Sequence, residues 1–519
     1  MKKNYIATAS LLLFLLFVAG LLYVGNRTSP VSSVPSDSFT YLASIDSELS
    51  ALCDGDLNQT AFFHELEKRT GIHVNWVSSL DKIQSLYQFN QSNSRSPDLM
   101  DQNSISTLGP GSLDEHIDNG MILDLTELLP EYAPNYNRLI QTEAFYDIAH
   151  TPSGRIGAIY ALKQETQKPY AGLQIRKDWL DELNLSVPVT YEDWEAVLTA
   201  FKEKKGASAP LSLSSAGFFF GNSFNAGFDV SSGFFHIGNR VFYGPAENGW
   251  KEYLTLMHRW YEKGLIHPDF MTGSYFYGDP GMIQTGATGA WYGLYTLPST
   301  LSFSSENSDA EVIAVKPPRR HKKDKLHLRM ADNISDNYAV IPSDCKQPEL
   351  VLRWIDYFFS EEGALFANYG TEGDSYTLNQ DGNPQFTDLI LNNPGGLNFT
   401  QALKYYTLPP SFASAYFDWK REWQAIPEKD IAMCDVWSDP DTDYLFPENM
   451  EFTAEEQARL SKLESQLSTC RSDYAVELIC GITSFDNYDH YLEELKENGL
   501  EEALHIYQCA YDRFLSLNK

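Results

Sequence analysis

Cysteine is scarce in this sequence, and several motifs of enzyme and cofactor chemistry are missing. Only 6 of the 519 residues are Cys, and no two of them form a Cys-x-x-Cys pair, which argues against a zinc ribbon or a thioredoxin-type site. Cys470 and Cys480 are candidates for a disulfide, with buried free thiols as the alternative. There is no Gly-x-Ser-x-Gly motif, no P-loop and no dinucleotide fingerprint. We therefore predict no catalytic residue, no metal site and no cofactor.

Positive charge is also in short supply. The chain has 39 Lys and Arg residues against 70 Asp and Glu residues, which gives a formal net charge of −31. Nucleic acids and other polyanions would be repelled over long range, so we predict no nucleic-acid partner. The one basic stretch, "KPPRRHKKDKLHLR", is interpreted as a solvated hairpin.

A long hydrophobic run occurs once, at the amino terminus. Lys2 and Lys3 precede "IATASLLLFLLFVAGLLYV", which is about as long as the ~20 residues that span a bilayer. The lysines would remain in the cytoplasm, so the rest of the chain is predicted on the extracellular face, anchored by residues 1–25. Cleavage after "VAG" and secretion is the alternative. Residues 26–45, rich in Ser and Pro, are interpreted as a tether.

Short apolar stretches alternate with amphipathic helices from residue 46 onward. The pattern predicts strands at "ELSALC", "IHVNWVSS" and "SPDLM", and a helix at "NQTAFFHELEKRTG" that ends at Gly71. A second helix, in "WKEYLTLMHRWYEKGLIHPDFM", should end at Gly264, because glycine adopts the left-handed conformation there and the following proline blocks a restart. The alternation of strands and helices begins again near Tyr160, and the C-terminal part is mostly helical. The chain is therefore an α/β protein with more than one lobe.

Several stretches, taken together and in order, resemble the extracellular solute-binding proteins of ABC transporters, family 1, in the long form common in Firmicutes. They are "FFHELEKRTGIHVNW", "SPDLM", "NGMILDLTELLPEYAPNY", "GLQIRKDWLDELNL", "WYEKGLIHPDF", "YFFSEEGALFANYGTEGDSY" and "CGITSFDNYDHYLEELKENGLEEALHIYQCAYDRF". The resemblance implies a periplasmic-binding-protein-like type II fold, in which two α/β lobes joined by hinge strands close on a ligand. Lobe 1 would comprise residues 46–160 and 316–400, and lobe 2 residues 161–315 and 401–519. The hinge crossings are expected at residues 159–164 and 311–318, with a third return near residue 400.

The resemblance also implies a function. The chain would be a non-enzymatic monomer that captures an oligosaccharide outside the cell and delivers it to the permease subunits of an ABC importer. The alternatives are a ligand sensor for membrane signalling, a binder of peptides or other small solutes, and, on weaker grounds, a surface glycoside hydrolase. The lipidated cysteine of the family is missing, and so is the calcium loop of its alginate-binding relatives. Residues 54–65 echo an EF-hand, but Gln59 stands where that loop needs glycine.

Sugar-binding sites combine aromatic rings, which stack on pyranose faces, with planar polar side chains that bond hydroxyl groups. Candidates of both kinds occur at the ends of predicted strands, in Gly-framed loops and at the predicted hinge. The predicted ligand-binding residues are Trp291, Tyr292, Glu372, Tyr376, Asp56, Asn58, Gln164, Phe224 and Trp419.

Overall fold

The computed structural model of the chain describes residues 37–517, except 44, 79–94, 102–108, 214–217, 219–221, 271–276, 329–332, 410, 411, 413, 439–441, 448 and 449. The predicted anchor at residues 1–25 lies outside the described residues. Within the described ranges, no helix combines the length and the apolar character that crossing a membrane requires.

The secondary structure alternates between strands and helices up to residue 417 and is helical in its last part. The strands are β1 Ser38–Ala43, β2 His73–Ser78, β3 Leu99–Asp101, β4 Ile159–Gln167, β5 Ala171–Arg176, β6 Leu211–Ser212, β7 Phe234–Ile237, β8 Arg240–Tyr243, β9 Ala290–Leu294, β10 Val312–Val315, β11 Asn333–Val340, β12 Tyr376–Leu378, β13 Pro384–Phe386 and β14 Tyr416–Phe417. The helices are α1 Ser47–Leu52, α2 Ala61–Thr70, α3 Leu113–Asp118, α4 Leu129–Tyr132, α5 Pro134–Ile140, α6 Tyr146–Ala149, α7 Lys177–Glu182, α8 Tyr191–Lys205, α9 Asn248–Glu262, α10 Pro280–Thr285, α11 Leu297–Thr300, α12 Pro348–Tyr357, α13 Glu361–Tyr369, α14 Asp388–Leu391, α15 Phe399–Tyr406, α16 Glu428–Trp437, α17 Ala454–Ile479, α18 Tyr488–Glu497 and α19 Leu500–Leu517.

Two separate sheets, each with its own core, divide the chain into two lobes. Lobe 1 is built on a 6-stranded sheet in the order β14-β4-β11-β3-β1-β2, covered by α1–α6 and α12–α15. Lobe 2 is built on a 4-stranded sheet in the order β10-β5-β9-β6, and α7–α11 and α16–α19 pack around it. The two-lobed α/β architecture expected from the sequence is therefore present.

The strands of lobe 1 set the position of the hinge. β1 pairs in parallel with β2 and with β3, so the carboxyl ends of all three meet at one edge of the sheet. β11 is antiparallel to β3 and to β4, so β4 points the same way as β3, and β14 is parallel to β4. The chain therefore leaves lobe 1 at this carboxyl edge, which is where open α/β sheets bind ligands.

Two helix ends that the sequence predicts, at Gly71 and at Gly264, are confirmed. Thr60 caps α2 by accepting a hydrogen bond from the backbone N–H of Phe63 (3.2 Å), and Gly71 ends it with φ +68°. Helix α9 is followed by Gly264, whose φ is +61°. A residue with a Cβ would be strained in either left-handed position, which explains why glycine ends both helices.

The structure corrects two predictions of local structure and decides between two alternatives for the cysteines. Strand β1 lies inside the segment interpreted as a tether, and its buried Phe39, Tyr41 and Leu42 supply the apolar content that the Ser/Pro-rich context obscured. The stretch "ELSALC" is helix α1 rather than a strand, because Asp46 caps it by accepting from the backbone N–H of Leu49. All six cysteines are free thiols, so Cys470 and Cys480 are not paired.

The segment boundaries near the hinge also differ from the expected ones. Helix α15 packs on α1 and α2, and β14 is part of the lobe 1 sheet, so lobe 1 continues to residue 417. Leu326 and Leu328, expected in lobe 1, pack with Phe235 of lobe 2. The third crossing is the 3-10 helix Trp419–Ala425, which leads to α16 on the lobe 2 strand β10.

Candidate functional site

The two lobes touch where the amino end of α3 meets the amino end of α17. Glu115 of lobe 1 uses one carboxylate oxygen, Oε2, to accept from the backbone N–H of Ser112 at 3.0 Å and from that of Ala454 in lobe 2 at 2.6 Å. The backbone N–H of Gly111 donates to Gln457 Oε1 at 2.8 Å. Since the first N–H groups of a helix have no partner inside the helix, one carboxylate satisfies donors of two helices at once. This set of contacts, Gly111, Ser112, Glu115, Ala454 and Gln457, is called the interlobe latch.

A cavity of about 360 Å³ adjoins the interlobe latch and is lined by both lobes. Its wall combines aromatic rings, hydroxyl groups, carboxylates and two basic side chains. From lobe 1 come Ser112, Asp114, Tyr146, Asp147, His150, Thr151, Pro152 and Gly154, and from lobe 2 come Glu451, Phe452, Thr453, Ala510, Arg513 and Phe514. Such a mixture can pack on the apolar faces of a polar ligand and bond its hydroxyl groups.

Two carboxyl groups of the cavity wall have pKa values that are shifted in opposite directions. Asp114 accepts from the hydroxyl groups of Thr151 (2.7 Å) and Ser153 (2.6 Å) and from Arg155 Nε (3.0 Å). Burial opposes ionisation there, but these donors hold the pKa of Asp114 below its ordinary value. Glu451 lies in the same wall, and burial, together with Asp114 and Glu115, raises its pKa to about 7.

A second group of aromatic side chains lies at the third hinge crossing. Trp419 and Trp423 are half-buried, with ring centroids 4.9 Å apart and planes at 85°. Lys420 Nζ lies 5.9 Å and 5.6 Å from the two ring centroids and forms an ion pair with Glu165 on β4. The indole of Trp419 donates to the backbone oxygen of Glu165 at 2.9 Å, which ties the third crossing to the first.

Of the residues that the sequence nominated, Gln164 and Trp419 come together at the hinge. Gln164 is exposed on β4, and its Nε2 donates to the backbone oxygen of Tyr416 (3.2 Å) on β14. Trp419 follows β14 directly and bonds the neighbouring residue of β4. Both keep exposed surface at the edge of the sheet where the lobes join.

The nominated aromatic residues away from the hinge are buried. Trp291 and Phe224 are 0% exposed, Tyr292 is 1% exposed and Tyr376 is 4% exposed. Phe224 packs edge-on against Trp194 and Trp260 in the core of lobe 2. Side chains without accessible surface have none to offer a sugar in this conformation, so their burial indicates packing roles.

The remaining predicted ligand-binding residues, Asp56, Asn58 and Glu372, lie in lobe 1. The first two form hydrogen bonds within that lobe, and the third is exposed. Asp56 caps the 3-10 helix Leu57–Gln59 by accepting from the backbone N–H of Asn58 at 3.0 Å. Asn58 donates to Val74 O and accepts from Trp76 Nε1, both at 3.1 Å. Glu372 is exposed in a turn before β12. The structure does not bring these residues to the interlobe cavity.

Sequence reasoning missed the cavity because its two walls are formed by segments far apart in the chain. The exposed rings give the only local hint. Tyr146 is 45% exposed on a helix, and a large ring on the solvent side of a helix is the kind of residue that marks a binding surface.

Comparison with known proteins finds similar chains among binding proteins. No family model matches. The fructooligosaccharide ABC transporter substrate-binding protein FusA of Streptococcus pneumoniae is 23% identical over 90% of this chain and 89% of its own length. The lipoprotein LipO of Bacillus subtilis is 28% identical over 54% of this chain and 58% of its own length. The structure of an "HMO binding ABC-transporter associated Solute Binding Protein" of Bifidobacterium longum infantis superimposes with a TM-score of 0.71 at 16% identity. The match covers 92% of this chain and 99% of that one.

The structural likeness spans both lobes and the helical C-terminal part. The resemblance predicted from the sequence is therefore confirmed: the chain has the periplasmic-binding-protein-like type II fold of the solute-binding proteins of ABC transporters.

Proposed function

We propose that the chain is an extracellular substrate-binding protein that holds an oligosaccharide between its lobes and delivers it to an ABC importer. The observation that carries the proposal is the similarity to FusA, which extends over nearly the whole of both chains and includes both lobes and the hinge. The names of the relatives supply the ligand class, and the interlobe cavity supplies rings, hydroxyl groups and carboxylates to bind it. The chain would act by binding alone, without turnover of the sugar.

The proposal extends to the location of the protein. The lysines and the apolar run at the amino terminus would hold the protein on the outer face of the membrane. A lipoprotein is among its relatives, which supports anchoring close to a permease. The binding unit itself would be a monomer, since the proposed site is completed by the two lobes of one chain.

A ligand screen tests the proposal directly. The purified full-length chain in detergent is heated while its tryptophan fluorescence is followed, with fructooligosaccharides, other neutral oligosaccharides, uronate oligosaccharides, peptides and amino acids in turn. A ligand at 100 times its dissociation constant stabilises the native state by about 2.7 kcal/mol. A shift with one class of oligosaccharide and no release of shorter sugars is expected. A shift only with peptides favours the alternative solute, and cleavage of the sugar contradicts the binding-only function.

A substitution locates the site within the molecule. Tyr146 lines the cavity and stacks on His150 with 4.0 Å between ring centroids. We expect Tyr146→Ala to weaken binding of the oligosaccharide found in the screen by roughly two- to tenfold, because an aromatic contact is worth about 0.5–1.5 kcal/mol. Isothermal titration calorimetry measures the change, and Tyr146→Phe should bind nearly as well as the parent.

The control for this substitution lies near another predicted position. Tyr405 donates from its hydroxyl to the backbone oxygen of Gln59 at 3.2 Å, beside Asp56 and Asn58. Tyr405→Ala should leave the affinity unchanged. A loss of binding with Tyr405→Ala, and none with Tyr146→Ala, would move the site from the interlobe cavity to the loop that contains Asp56.

A further inference from the structure

Glu451 lies between the lobes, close to two other carboxyl groups. It lies just before α17 of lobe 2 and lines the interlobe cavity, where Asp114 and Glu115 of lobe 1 face it. On its other side are the hinge strands, whose Tyr160 and Tyr338 are close enough to have their pKa values raised, mainly by burial and in part by the Glu451 carboxylate. Three carboxyl groups from two lobes therefore meet where the lobes touch.

The basic groups nearby are engaged elsewhere. Arg513 of α19 forms an ion pair with Glu456 at 2.5 Å and donates to the backbone oxygen of Glu451 at 3.2 Å, not to its carboxylate. Arg155 pairs with Asp114 and with Asp118. Among the described residues, no side chain forms an ion pair with the Glu451 carboxylate. The other titratable groups in the cavity wall, Asp147 and His150, belong to the segment 146–150 of lobe 1.

The three carboxyl groups differ in how they are compensated. Asp114 accepts hydrogen bonds from two hydroxyl groups and a guanidinium. Glu115 accepts hydrogen bonds from backbone N–H groups at the ends of two helices. Glu451 has no comparable donor among the residues that the structure describes, so like-charge repulsion and burial act on it without such compensation. In an open form the lobes separate, the Glu451 carboxylate regains water, and the two acids of lobe 1 move away.

We propose that closing of the two lobes takes up a proton at Glu451, so that mildly acidic conditions stabilise the closed form that holds the ligand. Its consequence for ligand binding rests on the proposed function. The pKa of Glu451 is about 7 in the conformation described, in which the interlobe latch joins the lobes, and it is expected near the ordinary 4.5 once the lobes separate. Because the closed form binds more protons, its extra stability is complete below the open-form pKa and is lost as the pH rises through about 7.

The size of the effect follows from these values. Between pH about 7 and about 4.5, the ratio of closed to open molecules should rise by up to about tenfold per pH unit on acidification. From pH 7.5 to 5.5 the expected gain is roughly twentyfold.

Single-molecule FRET on the ligand-free full-length chain in lipid nanodiscs tests this proposal. Donor and acceptor are attached through azide-bearing residues at positions 381 in lobe 1 and 493 in lobe 2, both of which are exposed. Open and closed molecules are counted at pH 7.5 and 5.5. Glu451→Gln mimics the protonated side chain, so its ratio should be high at both pH values. Glu203→Gln, which removes an exposed carboxylate on α8 of lobe 2, should respond like the parent.

Each outcome decides the question. A parent ratio that rises roughly twentyfold, with Glu451→Gln unresponsive, supports proton uptake at Glu451. A parent ratio that does not change overturns the proposal, and so does full pH dependence in Glu451→Gln. Since no sugar is present, a positive result combined with a silent ligand screen would preserve the proton-linked closing and reject the proposed ligand.

Discussion

Replacing Arg421 by alanine is expected to lower the free energy of unfolding by about 3–5 kcal/mol, because two buried carbonyl oxygens would lose their donor at about 1–3 kcal/mol each and the packing of a long buried side chain would be lost. Arg421 is 2% exposed in the third hinge crossing. Its Nη1 donates to the backbone oxygens of Ala367 (3.2 Å) and Asn368 (3.0 Å), and its Nη2 donates to that of Leu408 (3.0 Å). Urea unfolding followed by circular dichroism measures the change.

The reason for so large an effect is the position of these acceptors. Ala367 and Asn368 are in the last turn of α13, and Leu408 follows α15 closely. The last carbonyl groups of a helix have no partner within it and carry its negative partial charge. The guanidinium therefore caps the end of α13 and binds the segment just after α15. Without it, the backbone oxygens of Asn368 and Leu408 would lose their donor, whereas that of Ala367 would keep the backbone N–H of Leu408 (2.9 Å).

Two further variants separate this capping role from a general effect of removing charge. Arg421→Lys keeps the charge but loses the planar fork of donors, so an intermediate loss is expected. Arg138→Ala removes an exposed arginine from α5 and should change stability by no more than about 0.5 kcal/mol. If Arg421→Ala unfolded at the same urea concentration as Arg138→Ala, the capping interpretation would be wrong.

The parts of the fold that were predictable from the sequence are those specified by short-range chemistry. Gly71 and Gly264 follow the ends of α2 and α9 in the left-handed conformation, and the sequence predicts both helix ends. The error at α1 has a similar local origin. In "ELSALC", the apolar residues Leu49, Ala51 and Cys53 fall at every second position, and in so short a stretch that spacing resembles the alternation of a strand. The capping carboxylate of Asp46 was the signal that distinguishes the two.

The candidate site was much less predictable. Its walls come from residues 112–154 and 451–514, and no local periodicity reports which distant segments will meet. Glu115 shows the difficulty. It forms a capping box with Ser112, and the same carboxylate also accepts a hydrogen bond from the backbone N–H of Ala454 in the other lobe. That second role depends entirely on how the lobes pack.

The role of an aromatic residue was equally hard to predict from the sequence. A tryptophan at the end of a strand can face either a ligand or a core, because both environments accept a large ring. Trp291 and Trp419 are both predicted ligand-binding residues, yet the first is fully buried in lobe 2 and the second lies half-exposed at the hinge. Only the packing of α16 against β10, which places Trp437 in the same cluster as Trp291, decides between them.

Trp291→Ala is accordingly expected to destabilise the chain by about 3–5 kcal/mol, as for other large buried side chains. Its indole N–H donates to Gln174 Oε1 at 2.7 Å, and Gln174, itself 0% exposed, donates to the backbone oxygen of Leu294 at 2.7 Å. The substitution would open a cavity and leave the amide oxygen of Gln174 unpaired. Urea unfolding measures the loss, and calorimetry on the folded protein measures the affinity for the oligosaccharide found in the screen.

Trp419→Ala provides the matched comparison, because the same residue type is removed from a half-exposed place. Its cost in stability should be smaller, since less surface and one hydrogen bond to Glu165 are lost. If the hinge rings contact the ligand, the affinity should fall more in Trp419→Ala than in Trp291→Ala. The reverse pattern, with Trp291→Ala stable but unable to bind, would show that the ring of Trp291 turns out of the core to meet the ligand. The interlobe closing would then have to expose β9, which the packing of Trp291 beside Trp437 and Met433 opposes.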